Sequence, residues 1–103
     1  MITWVRTASI NDGKGRAAFA WAVKVATYVN ENISGADVQV MRNIGGPVWQ
    51  VHWAANYESL AAFEEVMKRV EADAGYLEVL AEAQDQTLFI GASIVDNIYE
   101  TIS

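Results

Sequence analysis

Gln39-Val40-Met41-Arg42-Asn43, a Gly45-Gly46 turn and Val48-Trp49-Gln50-Val51-His52-Trp53 make up the stretch that decides the fold. Two β-rich runs joined by so short a turn form a hairpin with a nearly forced register, so their side chains sort onto two faces. Pairing Asn43 with Val48 puts Val38, Val40, Trp49, Val51 and Trp53 on one face, with Arg42 at its turn end. The opposite face carries Gln39, Met41, Asn43, Gln50 and His52. The first set is an ordinary core. The second is too polar for a core and too well furnished for a face that only meets water; it reads as the lining of a cavity or of a subunit interface.

The rest of the chain arranges itself around that hairpin. Residues 2 to 8 have the composition of a first strand, and Asn11-Asp12-Gly13-Lys14-Gly15 is a dense turn signal after it. From Arg16 to Asn32 one 3.6-period stripe runs through Phe19, Ala22, Val23, Ala26 and Val29, and a second through Trp21, Val25 and Tyr28. Together they make an apolar arc wider than one surface contact requires. Ser34-Gly35 ends this helix. Asn56 and Ser59 are both candidate N-caps of a second helix, in which Leu60, Phe63, Met67 and Val70 face the core and the charged residues face solvent. Asp73-Ala74-Gly75 interrupts it, a short helix follows around Tyr76 to Ala83, and residues 92 to 102 alternate as a long last strand. Strand, helix, strand, strand, helix, short helix, strand is the split βαβ order of a ferredoxin-like α+β sandwich: a four-stranded antiparallel sheet with two main helices on one face. One domain spans residues 1–103. The face that the helices leave open is costly in water, so a second copy is expected to cover it.

Composition narrows the partners. Thirteen acidic residues against seven basic ones give a net charge of -6, which repels a phosphate backbone, so neither nucleic acid nor a membrane is an expected partner. The 52% apolar content exceeds the usual share and suggests more burial than one copy offers. With no cysteine, disulfides and thiolate chemistry are excluded. The N-terminal stretch has no basic region leading into an apolar one, and the expectation is an unprocessed cytoplasmic protein.

Ser59-Leu60-Ala61-Ala62-Phe63-Glu64, Asp73-Ala74-Gly75-Tyr76, Leu80-Ala81-Glu82-Ala83 and the turn Asp12-Gly13-Lys14-Gly15 before Phe19 resemble the dimeric α+β barrel superfamily. The likeness is greatest to members akin to antibiotic-biosynthesis monooxygenases and NIPSNAP proteins. The resemblance implies a homodimer whose two sheets face each other as a barrel, often with the last strand reaching to the partner. Members include cofactor-independent oxygenases, haem-degrading enzymes and isomerases. These motifs are packing and capping motifs, so they specify a fold and no reaction.

Candidate chemistry centres on His52, the sole histidine. On the open face it could serve as a general base, with Gln39, Met41, Asn43 and Gln50 binding substrate, or it could be a hydrogen-bonded interface residue. Trp4 and Arg6 share one face of the first strand. Pointing into the barrel they would supply an aromatic wall and an anion anchor; pointing the other way, Trp4 packs under the helices and Arg6 pairs with an acid. Asp96 and Glu100 share a face of the last strand and read as solvated or Arg-paired residues, with an acid–base pair as the alternative. One His, no Cys and no acidic triplet on a common face disfavour a metal, and no cofactor is expected. The functional expectation is a homodimeric barrel that binds, and in one reading oxidises without cofactor or isomerises, a small aromatic or polyketide-like compound. The alternative is a non-catalytic dimeric module.

Overall fold

Alternation of apolar and polar residues makes a strand of Ile2–Ser9 (β1) and of Gln50–Tyr57 (β3), while β2 is the short segment Gln39–Arg42 and β4 is Val95–Glu100. Helices α1 (Gly15–Asn32), α2 (Leu60–Ala72) and α3 (Ala74–Asp85) complete the fold, with a 3-10 turn at Gly91–Ser93 before β4. The computed structural model describes residues 1–103. Every strand pair is antiparallel and the sheet order is β2-β3-β1-β4, the ferredoxin-like arrangement. No helix is long and apolar enough to cross a membrane.

The core lies between one face of this sheet and the helices. Ile2, Trp4 and Ala8 of β1 and Val51, Trp53, Ala55 and Tyr57 of β3 are buried there. Ala18 and Ala22, both fully buried, let α1 lie close to the sheet, and Trp53 donates its indole N–H to the Ala22 carbonyl at 3.2 Å. The second stripe of α1 has its own partner in α3. Trp21 donates to the Val79 carbonyl at 2.9 Å, and the Tyr28 hydroxyl donates to Asp73 at 2.5 Å. Edge-to-face contacts of Trp21, Trp53 and Phe89, with centroids 5.6 to 6.0 Å apart, fill the space between.

Side-chain caps separate α2 from α3. The Ser59 hydroxyl accepts from Ala62 N at 3.1 Å, which identifies Ser59 as the N-cap of α2. Asp73 ends α2 in an extended conformation and caps α3 by accepting from Tyr76 N at 2.9 Å. Two helices therefore meet at one residue.

Several expected details are corrected. The β2–β3 register pairs Gln39 with Ala54 and Arg42 with Val51, two residues from the Asn43–Val48 alignment, because the loop through Pro47 is longer than a tight turn. An even shift keeps the faces: Val40 still lies with Val51 and Trp53, and Met41 with His52. Trp49 lies outside β3 and is 60% exposed; its ring stacks near Phe19, centroids 6.5 Å apart, and covers Gly15. Leu60, the first residue of α2, is exposed, and Val66 takes the core position instead. Helix α3 is a full 12 residues, and β4 begins only at Val95 because Gly91–Ser93 turn.

Candidate functional site

The register gives the open face of the sheet row by row. One row crosses the strands as Met41, His52, Thr7 and Val95, the next as Gln39, Ala54, Val5 and Asn97, and a third holds Asn56, Thr3 and Tyr99. None of these is Lys, Arg, Asp or Glu. His52 stands at the centre, with its Nδ1 2.8 Å from the Thr7 hydroxyl and its Nε2 2.6 Å from Asn43 Oδ1. An amide oxygen can only accept, so Nε2 carries a proton and donates to Asn43, while Nδ1 shares its hydrogen bond with the Thr7 hydroxyl. Both ring nitrogens are thus engaged within the chain. Gln50, half-buried, lies one alternation further along β3, opposite Ser9. Gln39 borders a polar depression of about 190 Å³ with Thr3, Asp37, Ala54 and Asn56, which does not reach His52.

Trp4 and Arg6 point the other way, under the helices. There they line an apolar, partly open cavity of about 80 Å³ bordered by Trp21, Val25 and Val29 of α1, Trp53 of β3, Val66 and Val70 of α2, and Tyr76 and Leu80 of α3. Arg6 is the one charged residue of this lining, and it pairs with Asp96. Arg6 donates from Nε and Nη2 to the two carboxylate oxygens of Asp96 at 2.7 and 2.8 Å, and its guanidinium lies 5.4 Å from the Trp4 ring centroid. Hydrogen bonding from Arg6 holds the Asp96 carboxyl below the usual carboxylate range against the opposing effect of burial, and the Asp96 bond raises Arg6 in turn. Burial pushes the Tyr76 hydroxyl up, partly offset by the charge of Arg6. Burial likewise raises Tyr57, which also lines the cavity.

The residues singled out in the sequence therefore divide into two groups. His52, Asn43, Gln50, Met41 and Gln39 share the open face, with His52 bonded to Asn43, and Trp4 and Arg6 sit across the sheet from them. Sequence reasoning missed Tyr76, Val66 and Leu80 as cavity residues. The double stripe on α1 marks only the helix face that borders the cavity, since Val25 and Val29 come from different stripes and both line it. No group of three His, Cys, Asp or Glu residues stands close enough together to hold a metal ion.

This sheet order and helix layer define a ferredoxin-like α+β protein of the type found in NIPSNAP and antibiotic-biosynthesis-monooxygenase proteins. A NIPSNAP family protein from Agrobacterium tumefaciens superposes with a TM-score of 0.80 at 19% identity, covering 99% of this chain and 93% of that one. A NIPSNAP domain protein from Burkholderia xenovorans gives 0.81 at 12% identity, covering 100% and 96%. A Deinococcus radiodurans protein provisionally described as an antibiotic biosynthesis monooxygenase gives 0.69 at 13% identity, covering 100% and 94%. At these identities the likeness establishes the fold. No family model and no curated protein matches the sequence.

Proposed function

We propose that this chain is a small-molecule-binding protein whose ligand occupies the cavity between helices and sheet, and that two copies pair through the open sheet face. The observation that carries the binding reading is the cavity itself: an apolar chamber between sheet and helices with its polar groups gathered around Arg6 and Tyr76. About 80 Å³ is below the roughly 150 Å³ of an engineered cavity that admits benzene, so a ring enters with a modest displacement of flexible lining such as Met67. The pairing reading rests on the charge-free rows of the open face, which bring no like charges together when the face meets its own copy, and on the exposed apolar Met41, Val95 and Tyr99 within them. His52, Asn43 and Gln50 then specify the interface.

A second reading, cofactor-independent oxidation or isomerisation of a small aromatic or polyketide-like compound, draws support from the Deinococcus radiodurans neighbour and from the apolar lining of the cavity. The cavity offers no free base to initiate it. No carboxylate lines it, the nearby Asp96 is bonded to Arg6, and His52 lies on the far side of the sheet.

The test is a cavity-filling variant. Ala26 lines the chamber and is buried, and Ala26→Leu would occupy it with three extra carbons. Titration of toluene by NMR should shift the methyl resonances of Val25, Val29 and Val66 in the wild type and leave them unmoved in the variant. Equal shifts in both would refute the assignment.

A further inference from the structure

His52 is the sole histidine of the chain, and it stands half-buried in the sheet face through which two copies are proposed to pair. Histidine is the side chain that ordinarily changes charge between about pH 5 and 8. The bonds of the ring leave that change open. Nε2 donates to Asn43 Oδ1 at 2.6 Å, and Nδ1 lies 2.8 Å from the Thr7 hydroxyl, which can donate to a bare nitrogen or accept from a protonated one. A second proton therefore enters the ring without breaking either hydrogen bond.

What the face lacks is a counter-charge. The two strands beside His52 carry one charged residue each, and both project to the helix side, Arg6 of β1 onto Asp96 and Arg42 of β2 over the Phe19 ring, 5.8 Å from its centroid. β3 has no charged residue, and Glu100 of β4, opposite Ile2, shares the helix side with Asp96. The loop from Asn43 to Trp49 and the turn Gly91–Ser93 have none. Tyr99, the other titratable side chain in these rows, is a phenol and brings no charge between about pH 5 and 8. Charges reappear only past the strand ends. Asp37, Glu58 and the Met1 amino group stand four to six residues from the row of His52, or about 13–20 Å along the strands, and Asp12 and Lys14 lie in the turn beyond Ser9. Pairing a face with its own copy adds nothing to this set, because each copy meets only the same rows. An imidazolium that water partly solvates in the single copy would be shut into an interface with no carboxylate to receive it, and the partner brings a second one. We infer that His52 makes the pairing pH-sensitive: copies join with neutral rings and separate as the rings take up protons, an inference that rests on the open face being the pairing surface. The effect runs against net charge. Protonation takes each copy from -6 to -5, which on its own would ease the repulsion between them.

Sedimentation equilibrium of the full chain at about pH 7.5 and about pH 5.5, at equal ionic strength, reads the effect. The dissociation constant of the wild-type pair should rise about tenfold or more over that interval. In His52→Gln the amide can donate to Asn43 and accept from Thr7 without ever carrying charge, so the constant should stay level between the two pH values. A rise in the variant as large as in the wild type would overturn the role of His52. Should the variant fail to fold, the wild type decides through its single imidazole Hε1 resonance: the shift of that proton should follow the loss of the pair, and a ring that stays unprotonated while the pair separates would overturn the inference. A wild-type pair equally tight at both pH values would overturn the switch and leave the pairing surface standing. Single copies at pH 7.5 at every concentration would reject the pairing surface and the inference with it.

Discussion

Replacing Asp96 with Asn should weaken the fold in a way that depends on pH. Asp96 accepts two charge-assisted hydrogen bonds from Arg6 at 2.7 and 2.8 Å, and the two side chains are 37% and 31% exposed. A fully exposed ion pair is worth about 0–1 kcal/mol, and a hydrogen bond to a charged group about 1.5–3 kcal/mol when shielded. With both side chains about one-third exposed, solvent screening takes much of the larger figure, leaving about 1–2 kcal/mol at neutral pH. Asparagine keeps one acceptor oxygen and the shape, so the loss measures the charge and the second bond. The sign of the pH dependence follows from the lowered carboxyl of Asp96. Its stabilisation is fully present above the unfolded carboxyl pKa of about 3.9 and is lost as pH falls through the lower folded value. Arg6 stays charged throughout, so it adds no slope in this range. Urea unfolding followed by tryptophan fluorescence, at one fixed protein concentration, should show wild type and variant separated at pH 7 and converging in acid, as the pH falls below the unfolded carboxyl value and through the lower folded one. A separation of the same size at both pH values would refute the ion pair as its source.

Two other substitutions test the architecture. Gly75→Ala would normally stabilise a helix by about 1 kcal/mol, but a Cβ there meets the Tyr28 ring, with Cζ at 2.6 Å, so the variant should be less stable than wild type in thermal unfolding. Ala54→Lys places a charge at the centre of the open face, opposite Val5 and Gln39; sedimentation should show a monomer with an unchanged circular dichroism spectrum.

The hairpin shows how far the sequence carries. Period-2 alternation assigned Val40, Val51 and Trp53 to the core and Met41 and His52 to the open face, and a register slip of two residues left those assignments intact. Trp49 escaped because the Gly45-Gly46-Pro47 loop takes it out of the strand, and a lone tryptophan can cover a glycine at the surface as readily as it fills a core. The face of Trp4 and Arg6 was ambiguous for a physical reason. Trp4 argues for the core and Arg6 against it, and only the Asp96 carboxylate two strand positions from Ile98 on the adjacent β4 makes a half-buried arginine tolerable there. The cavity was out of reach. Its walls come from β1, α1, β3, α2 and α3, and no local pattern encodes where five elements fail to fill the space between them.

Xenon is the most direct probe of that space, since it enters apolar cavities without needing a polar partner. A crystal of the protein pressurised with xenon should show its anomalous peak between Val25, Val29, Val66 and Val70, beneath the helices. No peak there, with xenon bound instead on the open face beside His52, would contradict the placement of the binding site.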